Sequence, residues 1–271
     1  MGSTPAARAA EGDEGETPPD ESVAPTSPPP PPLHGGHQPL LVKDGMARIP
    51  GGRFTMGASD PKSAPNERPP HAVTIGPFWL DRTEVTVRAY RACVDRHECT
   101  PPARSSASCT YDLGDPELPI SCVYWRDADS FCRAAGKRLP KETEWEFAAR
   151  GTLRARYPWG GSSTGCGIAA TLMTDTTGRT CTKGRPWRVG ARPGNASPFG
   201  VLDMAGNVEE WTSDWYADFT AEGAEPRAGS SHVLRGGGWL SWPSMSRTTS
   251  RNWGSALEAG PNVGFRCARS D

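Results

Sequence analysis

The stretch that decides the fold runs Ser197-Pro198-Phe199-Gly200-Val201-Leu202-Asp203-Met204-Ala205-Gly206-Asn207-Val208-Glu209-Glu210-Trp211. Asp, Gly and Asn between 203 and 207 favour a backbone bend with left-handed or bridge conformations. Such a bend turns successive carbonyls toward one point. With a nearby carboxylate it makes an oxygen cage suited to a hard cation, Ca²⁺ above all. The alternative is a turn satisfied by its own hydrogen bonds.

Helix signals lie upstream of this stretch. Thr86 is placed to cap a first helix with Val87, Tyr90 and Val94 on one face. A second follows Trp125, with Ala128, Phe131, Cys132 and Ala135 inward and Gly136 as its stop. A third follows Pro140, passes through Glu144-Trp145-Glu146-Phe147-Ala148 and ends at Gly151. Residues 46–57 read as a hairpin-like pair broken at Pro50-Gly51-Gly52, and His71 to Asp81 as one strand. The remainder is short strands in loops punctuated by Gly, Pro and Asn, so an irregular α+β domain is expected over 41–271.

Residues 1–40 differ in texture. They hold no Phe, Trp or Tyr, an acidic patch from Glu11 to Glu16 and a proline run from Pro28 to Pro32. Such a segment buries too little apolar surface to offset its ordering entropy, so a disordered, Pro-rich tail or linker is expected.

Only 35% of the 271 residues are hydrophobic, with 28 Pro and 31 Gly, which suits a loop-rich fold with an attached tail. The net charge of −1 gives no electrostatic case for nucleic acid or an anionic membrane. No apolar stretch approaches the roughly 20 residues needed to span a bilayer. The eight cysteines, Cys93, Cys99, Cys109, Cys122, Cys132, Cys166, Cys181 and Cys267, are even in number and contain no C-x-x-C. Disulfides in an oxidising compartment are the better reading, although roughly a hundred connectivities remain open. A secreted, periplasmic or envelope-tethered protein is therefore expected, although the N-terminus shows no basic-then-apolar signal peptide.

Several ordered blocks together resemble the formylglycine-generating-enzyme (sulfatase-modifying-factor) family. They are Ile49-Pro50-Gly51-Gly52-Arg53-Phe54-Thr55-Met56-Gly57 and Phe78-Trp79-Leu80-Asp81-Arg82-Thr83-Glu84-Val85-Thr86. Gly136-Lys137-Arg138-Leu139-Pro140 follows, with Glu142, Glu144, Trp145 and Glu146, then Tyr157-Pro158-Trp159-Gly160 and the 197–211 stretch. Arg235-Gly236-Gly237-Gly238-Trp239 and Asn262-Val263-Gly264-Phe265-Arg266-Cys267 close the set. Each block alone is weak; their order over about 46–269 is specific. The resemblance implies a single domain of C-type-lectin-like topology, with short helices and strands and long loops.

The resemblance also implies a structural calcium held by the carbonyls of Asp203, Gly206 and Val208 and the carboxylate of Glu210. It pairs Cys132 with Cys267; Cys166 with Cys181 then staples a rearranged loop. Cys93–Cys99 and Cys109–Cys122 are the simplest remaining pairs. The family's oxidation of a sulfatase cysteine uses a cysteine pair and copper(I), a soft ion suited to thiolates. Laid on this sequence, those two positions fall at Ser241 and Ser246, and no cysteine lies between Cys181 and Cys267. Copper is therefore not expected. The histidine pattern of iron-dependent relatives is absent too; the five histidines are His34, His37, His71, His97 and His232.

Trp239, Ser241, Trp242, Ser246, Arg247, Arg251 and Trp253 cluster by alignment near the family's substrate groove. Aromatics with Arg suit a peptide, glycan or protein ligand. The expectation is a monomeric, calcium-stabilised binding or structural module. The alternative is a family enzyme with different oxidative or maturation chemistry.

Overall fold

The computed structural model describes residues 40–103, 106–161, 164–174, 178–220 and 228–271, all within one compact unit, Leu33–Asp271. The expected tail lies outside the described residues, apart from Leu40. Among the described residues ten short strands form three sheets, packed with three α-helices. Strands β1 (Val42–Lys43), β2 (Met46–Ile49), β5 (Phe78–Asp81) and β10 (Ala268–Ser270) form the first, in the order β1-β2-β5-β10. β3 (Gly52–Met56) and β4 (His71–Ile75) form the second. β6 (Glu209–Trp215), β7 (Ser231–Arg235), β8 (Arg251–Ser255) and β9 (Val263–Gly264) form the third, in the order β8-β7-β6-β9, with β9 parallel to β6.

This partition corrects two sequence expectations. Residues 46–57 do give two strands, but β2 pairs with β1 and β5, whereas β3 pairs with β4. Gly51, at φ 76°, turns the chain from one sheet to the other. Likewise 71–81 is two strands, because Gly76-Pro77 ends β4 and lets β5 enter the first sheet. Alternation of apolar residues marks strands but not which strands pair, since pairing is a long-range choice.

The helices form where their caps dictate. Helix α1 (Val87–Asp95) starts at Thr86, whose Oγ1 accepts the Ala89 N–H at 3.1 Å, a cap that contributes about 1 kcal/mol. Helix α2 (Trp125–Ala134) buries Ala128, Phe131 and Cys132. Ala135 is exposed, contrary to expectation, because the helix has already ended and Gly136 at φ 68° turns the chain away. Helix α3 (Glu142–Arg150) is buried at every position except Thr143, although it carries three glutamates and an arginine. Glu144 accepts the Lys141 N–H at 2.9 Å, and Gly151 (φ 58°) ends the helix.

Two apolar clusters fill the interior. One packs α1 and α2 against Trp211, Leu234 and Phe265; the other packs Trp145 and Phe147 of α3 against Ile49, Phe54, Phe78 and Leu80. The last strand, β10, pairs antiparallel with β5 at the edge of the first sheet. The disulfides join Cys93–Cys99, Cys109–Cys122, Cys132–Cys267 and Cys166–Cys181. Cys132–Cys267 closes a separation of 135 residues, which in the chain-entropy picture contributes roughly 4–5 kcal/mol. Among the described residues no helix is long and apolar enough to cross a membrane.

Candidate functional site

The 203–208 bend has the conformations its residues favour. Asp203 (φ 59°), Gly206 (φ 85°) and Asn207 (φ 67°) are all left-handed, and a Cβ at position 206 would collide with the Ala170 carbonyl. Two of its N–H groups bond across to neighbouring segments: Gly206 donates to the Gly236 carbonyl at 2.9 Å and Asn207 to that of Ala170 at 2.8 Å. The Asn207 carbonyl accepts from Trp239 and the Leu202 carbonyl from Arg266. No described hydrogen bond ends on the carbonyl oxygens of Asp203, Gly206 or Val208, three buried residues.

Beside this bend lies a buried set of four ionisable side chains. Arg266 grips Glu210 through two 2.7 Å hydrogen bonds, and the Trp145 indole N–H adds a third at 2.8 Å. Asp203 accepts from the Asn195 amide at 2.8 Å and from the Gly190 N–H at 2.5 Å. Glu84 is 2% exposed, yet neither of its carboxylate oxygens has a hydrogen-bond partner. Burial first, then the charge of Asp203, pushes its carboxyl well above the usual carboxylate range; Arg266 pulls the other way and Glu210 adds to the rise. Burial opposes the charge on Arg266, but Glu210, then Glu84 and Asp203, outweigh it and hold the guanidinium protonated. Three carboxyl groups, one of them biased toward its protonated form, thus face one guanidinium. Among the described residues no group of three or more His, Cys, Asp or Glu side chains converges as a ready metal cluster. A cation here would rely on main-chain oxygens as much as on side chains.

The Gly237–Arg251 segment forms the second region. Ser241 is buried, and its Oγ accepts from the Gly238 N–H and from the Asn262 amide, both at 3.0 Å. Ser246 is fully buried and its Oγ has no partner; it packs against Gly237, where a Cβ would approach it to 2.6 Å. Trp239 is buried, its indole donating to the Pro261 carbonyl at 3.0 Å, so it is core rather than groove. Trp242 is 62% exposed. Met245 is 40% exposed and lines a cleft.

That cleft has a volume of about 510 Å³ and lies among Glu67, Glu209, Tyr216, Met245, Arg251 and Trp253. Arg247 also lines it, together with a smaller neighbouring cleft of about 200 Å³. Of the expected groove residues, Arg247, Arg251 and Trp253 therefore reach the cleft, whereas Trp239, Ser241, Trp242 and Ser246 do not line it. Both arginines are already engaged. Arg247 makes a two-point contact with Glu67 at 2.6 and 2.9 Å, and Arg251 one with Glu142 at 2.7 and 2.9 Å. Arg251 also lies 3.7 Å from the Phe219 ring centre.

The histidines do not converge. His71 packs on Phe219, His97 is exposed, and His232 is sandwiched between Trp125 and Trp215 at 3.9 Å each. His34 and His37 lie outside the described residues. Sequence reading missed Glu84 and Glu209 as site residues. Both stand inside recognisable blocks, but only the fold shows that one lacks a partner and the other faces a cleft.

The comparisons agree with this architecture. Residues 36–271 match the model of the sulfatase-modifying factor enzyme 1-like domain. The formylglycine-generating enzyme of Thermomonospora curvata is 31% identical over 85% of this chain and 95% of its own. The mouse inactive C-alpha-formylglycine-generating enzyme 2 is 30% identical over 83% of this chain and 85% of its own. Among solved structures, PvdO from Pseudomonas aeruginosa superposes with a TM-score of 0.69 at 28% identity, covering 83% of this chain and 94% of that one. The fold is mixed α+β, with short helices and strands joined by long loops, and the chain belongs to the sulfatase-modifying factor enzyme 1-like (formylglycine-generating enzyme) family.

Proposed function

We propose that this chain is a calcium-stabilised, non-oxidising member of its family that binds a ligand in the 510 Å³ cleft beside the Gly237–Arg251 segment. One observation carries the reading: all eight cysteines are in disulfides, so no thiol is free to hold copper(I). Hydroxyls at Ser241 and Ser246 are hard and weakly acidic, a poor match for a soft ion. The existence of a similar protein named as inactive supports the same view. Four disulfides also favour an oxidising compartment, secreted or periplasmic.

Calcium fits the donor set next to the bend. The carbonyls of Asp203, Gly206 and Val208 are buried without described partners, and Glu84 is a buried carboxylate without one. The Glu210 carboxylate, engaged by Arg266 and Trp145, is the most committed of the proposed ligands. A bound calcium would supply the positive charge that three carboxylates and one guanidinium lack. The residues themselves position the bend that carries Glu209 into the cleft.

The reading is tested by challenging the folded protein with copper(I) and a cysteine-bearing sulfatase peptide under oxygen. The expected result is no retained copper and no aldehyde. Copper near one per chain, or aldehyde formation, would overturn it.

A further inference from the structure

The smaller cleft, of about 200 Å³, is lined by four guanidiniums, Arg150, Arg154, Arg156 and Arg247, and by one carboxylate, Asp60. Two of the four are engaged. Arg247 is held at two points by Glu67. Arg150 is 4% exposed and lies 3.2 Å from Glu146, but Arg235 shares that carboxylate and is closer, at 2.6 Å. Behind the cleft, three guanidiniums, Arg150, Arg235 and Arg247, therefore meet the carboxylates of Glu67 and Glu146, and positive charge is left over.

Arg154 and Arg156 are different. Both are exposed, and among the described residues neither side chain has an ion pair or a hydrogen bond. Arg156 only leans toward the Tyr157 ring, 5.9 Å from its centre. The backbone that carries them is nevertheless fixed. The Ala155 carbonyl accepts from the Thr248 hydroxyl at 2.7 Å, and the Arg156 carbonyl from the Thr248 N–H at 3.0 Å. Thr248 is fully buried and itself lines the cleft. Two guanidiniums without a counter-charge are thus carried at a concave surface by backbone pinned to its wall. Ser59 adds an exposed hydroxyl, and Asp60 accepts the Lys62 N–H at 2.9 Å.

Guanidiniums gathered on a concave surface concentrate anions there, and the planar fork of arginine matches pairs of phosphate or sulfate oxygens. The volume falls below the roughly 300–1,000 Å³ of sites that enclose a whole small molecule, and suits a single anionic group. We infer that the smaller cleft is an anion site that takes a doubly charged tetrahedral oxyanion, a phosphate or sulfate group, between Arg154 and Arg156. The anion is either free or the ester end of a larger molecule. The site is independent of what the larger cleft binds.

The test is calorimetric titration of the full chain at about pH 8 and fixed ionic strength, where phosphate is mostly doubly charged. No calcium is added, so that no insoluble phosphate forms. The probes are inorganic phosphate, inorganic sulfate, methyl phosphate and acetate. Phosphate and sulfate are expected to saturate the site, with acetate at least about tenfold weaker. The double variant Arg154→Gln with Arg156→Gln, two exposed changes, is expected to lose at least about tenfold in phosphate affinity at a wild-type unfolding temperature. Arg126→Gln, an exposed change on α2 outside the cleft, should alter it less than about twofold. Methyl phosphate tighter than inorganic phosphate assigns an ester; the reverse assigns the free anion. No saturable binding of phosphate or sulfate, acetate equal to phosphate, or unchanged affinity in the double variant would overturn the inference. So would an equal loss in Arg126→Gln, which would mean general charge attraction only. If the double variant does not fold, each single variant replaces it, with a loss of at least about threefold expected and none overturning the site. Failure here leaves the non-oxidising reading intact, because that reading stands or falls on copper and aldehyde.

Discussion

Two buried sets of charges lie on opposite sides of Trp145, and they are balanced differently. On one side Glu142 and Glu146 of α3 meet Arg235, Arg251 and Arg150. Arg235 lies 2.6 Å from Glu146 and 3.3 Å from Glu142, Arg150 lies 3.2 Å from Glu146, and Arg251 closes on Glu142. Two carboxylates face three guanidiniums, and the spare positive charge is met by main-chain carbonyls such as those of Thr248, Asn66 and Ala217. On the other side, among the described residues, Glu84, Asp203 and Glu210 share the one guanidinium of Arg266. The first set closes on itself. The second lacks positive charge and sits against a bend with uncommitted carbonyls. Protein can satisfy a buried arginine from its own backbone, because carbonyls are everywhere. An excess of buried carboxylates needs donors or a cation, and the calcium proposal rests on that asymmetry.

The largest effect should come from removing the only counter-charge of the poorer set. Arg266→Leu leaves three buried carboxylates with no guanidinium and should cost at least about 4–5 kcal/mol. The measurement is urea unfolding with calcium present; a loss under about 1 kcal/mol would mean that Glu210 does not depend on Arg266. In the self-sufficient set Glu146→Gln should cost somewhat less, about 3 kcal/mol, because Arg235 keeps Glu142 and carbonyl partners. That loss should be the same with or without calcium, and a calcium-dependent difference would show that the two sets are not separate.

Next comes chelation. Removing calcium from the wild-type chain should lower stability by about 3 kcal/mol at a free calcium one hundred times the dissociation constant. Glu84→Gln should blunt that response while making the calcium-free protein more stable, since it deletes an unpartnered buried carboxylate.

The smallest effect concerns His232, away from both sets. Burial between two tryptophans lowers its pKa from 6.5, against weaker opposing pulls from the Asp214 and Ser213 backbone and from Asp129. A histidine whose folded pKa is depressed binds fewer protons folded than unfolded. Stability is therefore full above about pH 6.5 and declines as pH falls below it. Thermal unfolding between pH 7.5 and 5.5 should show this decline, and His232→Phe, which keeps the stacking, should flatten it.

How much of this was legible in the sequence follows the range of the interactions. The three helices could be read because caps and stops are local, Thr86 and Gly151 above all. The structure joins the four cysteine pairs that the resemblance and simple proximity suggested. The left-handed bend at Asp203, Gly206 and Asn207 could be read from residue type. Sheet partners could not, since Gly51 and Gly76-Pro77 look like ordinary turn signals whichever sheet follows. Nor could the state of Glu84 or Glu209. A glutamate in a motif reads the same whether an arginine meets it or not, and its surroundings come from distant segments, Asn252 for Glu209 and Arg266 for Glu84. Arg247 and Arg251 illustrate the reverse error: they looked like ligand-binding cations, and the fold shows them engaged by Glu67 and Glu142.

The most direct test of the central claim is calorimetric calcium titration of chelator-treated protein, wild type beside Glu84→Gln. The account predicts about one calcium per wild-type chain, a raised unfolding temperature, and clearly weaker binding in the variant. No calcium uptake and no change in unfolding temperature in the wild type would contradict it, and the buried carboxylates would then be held by the protein alone.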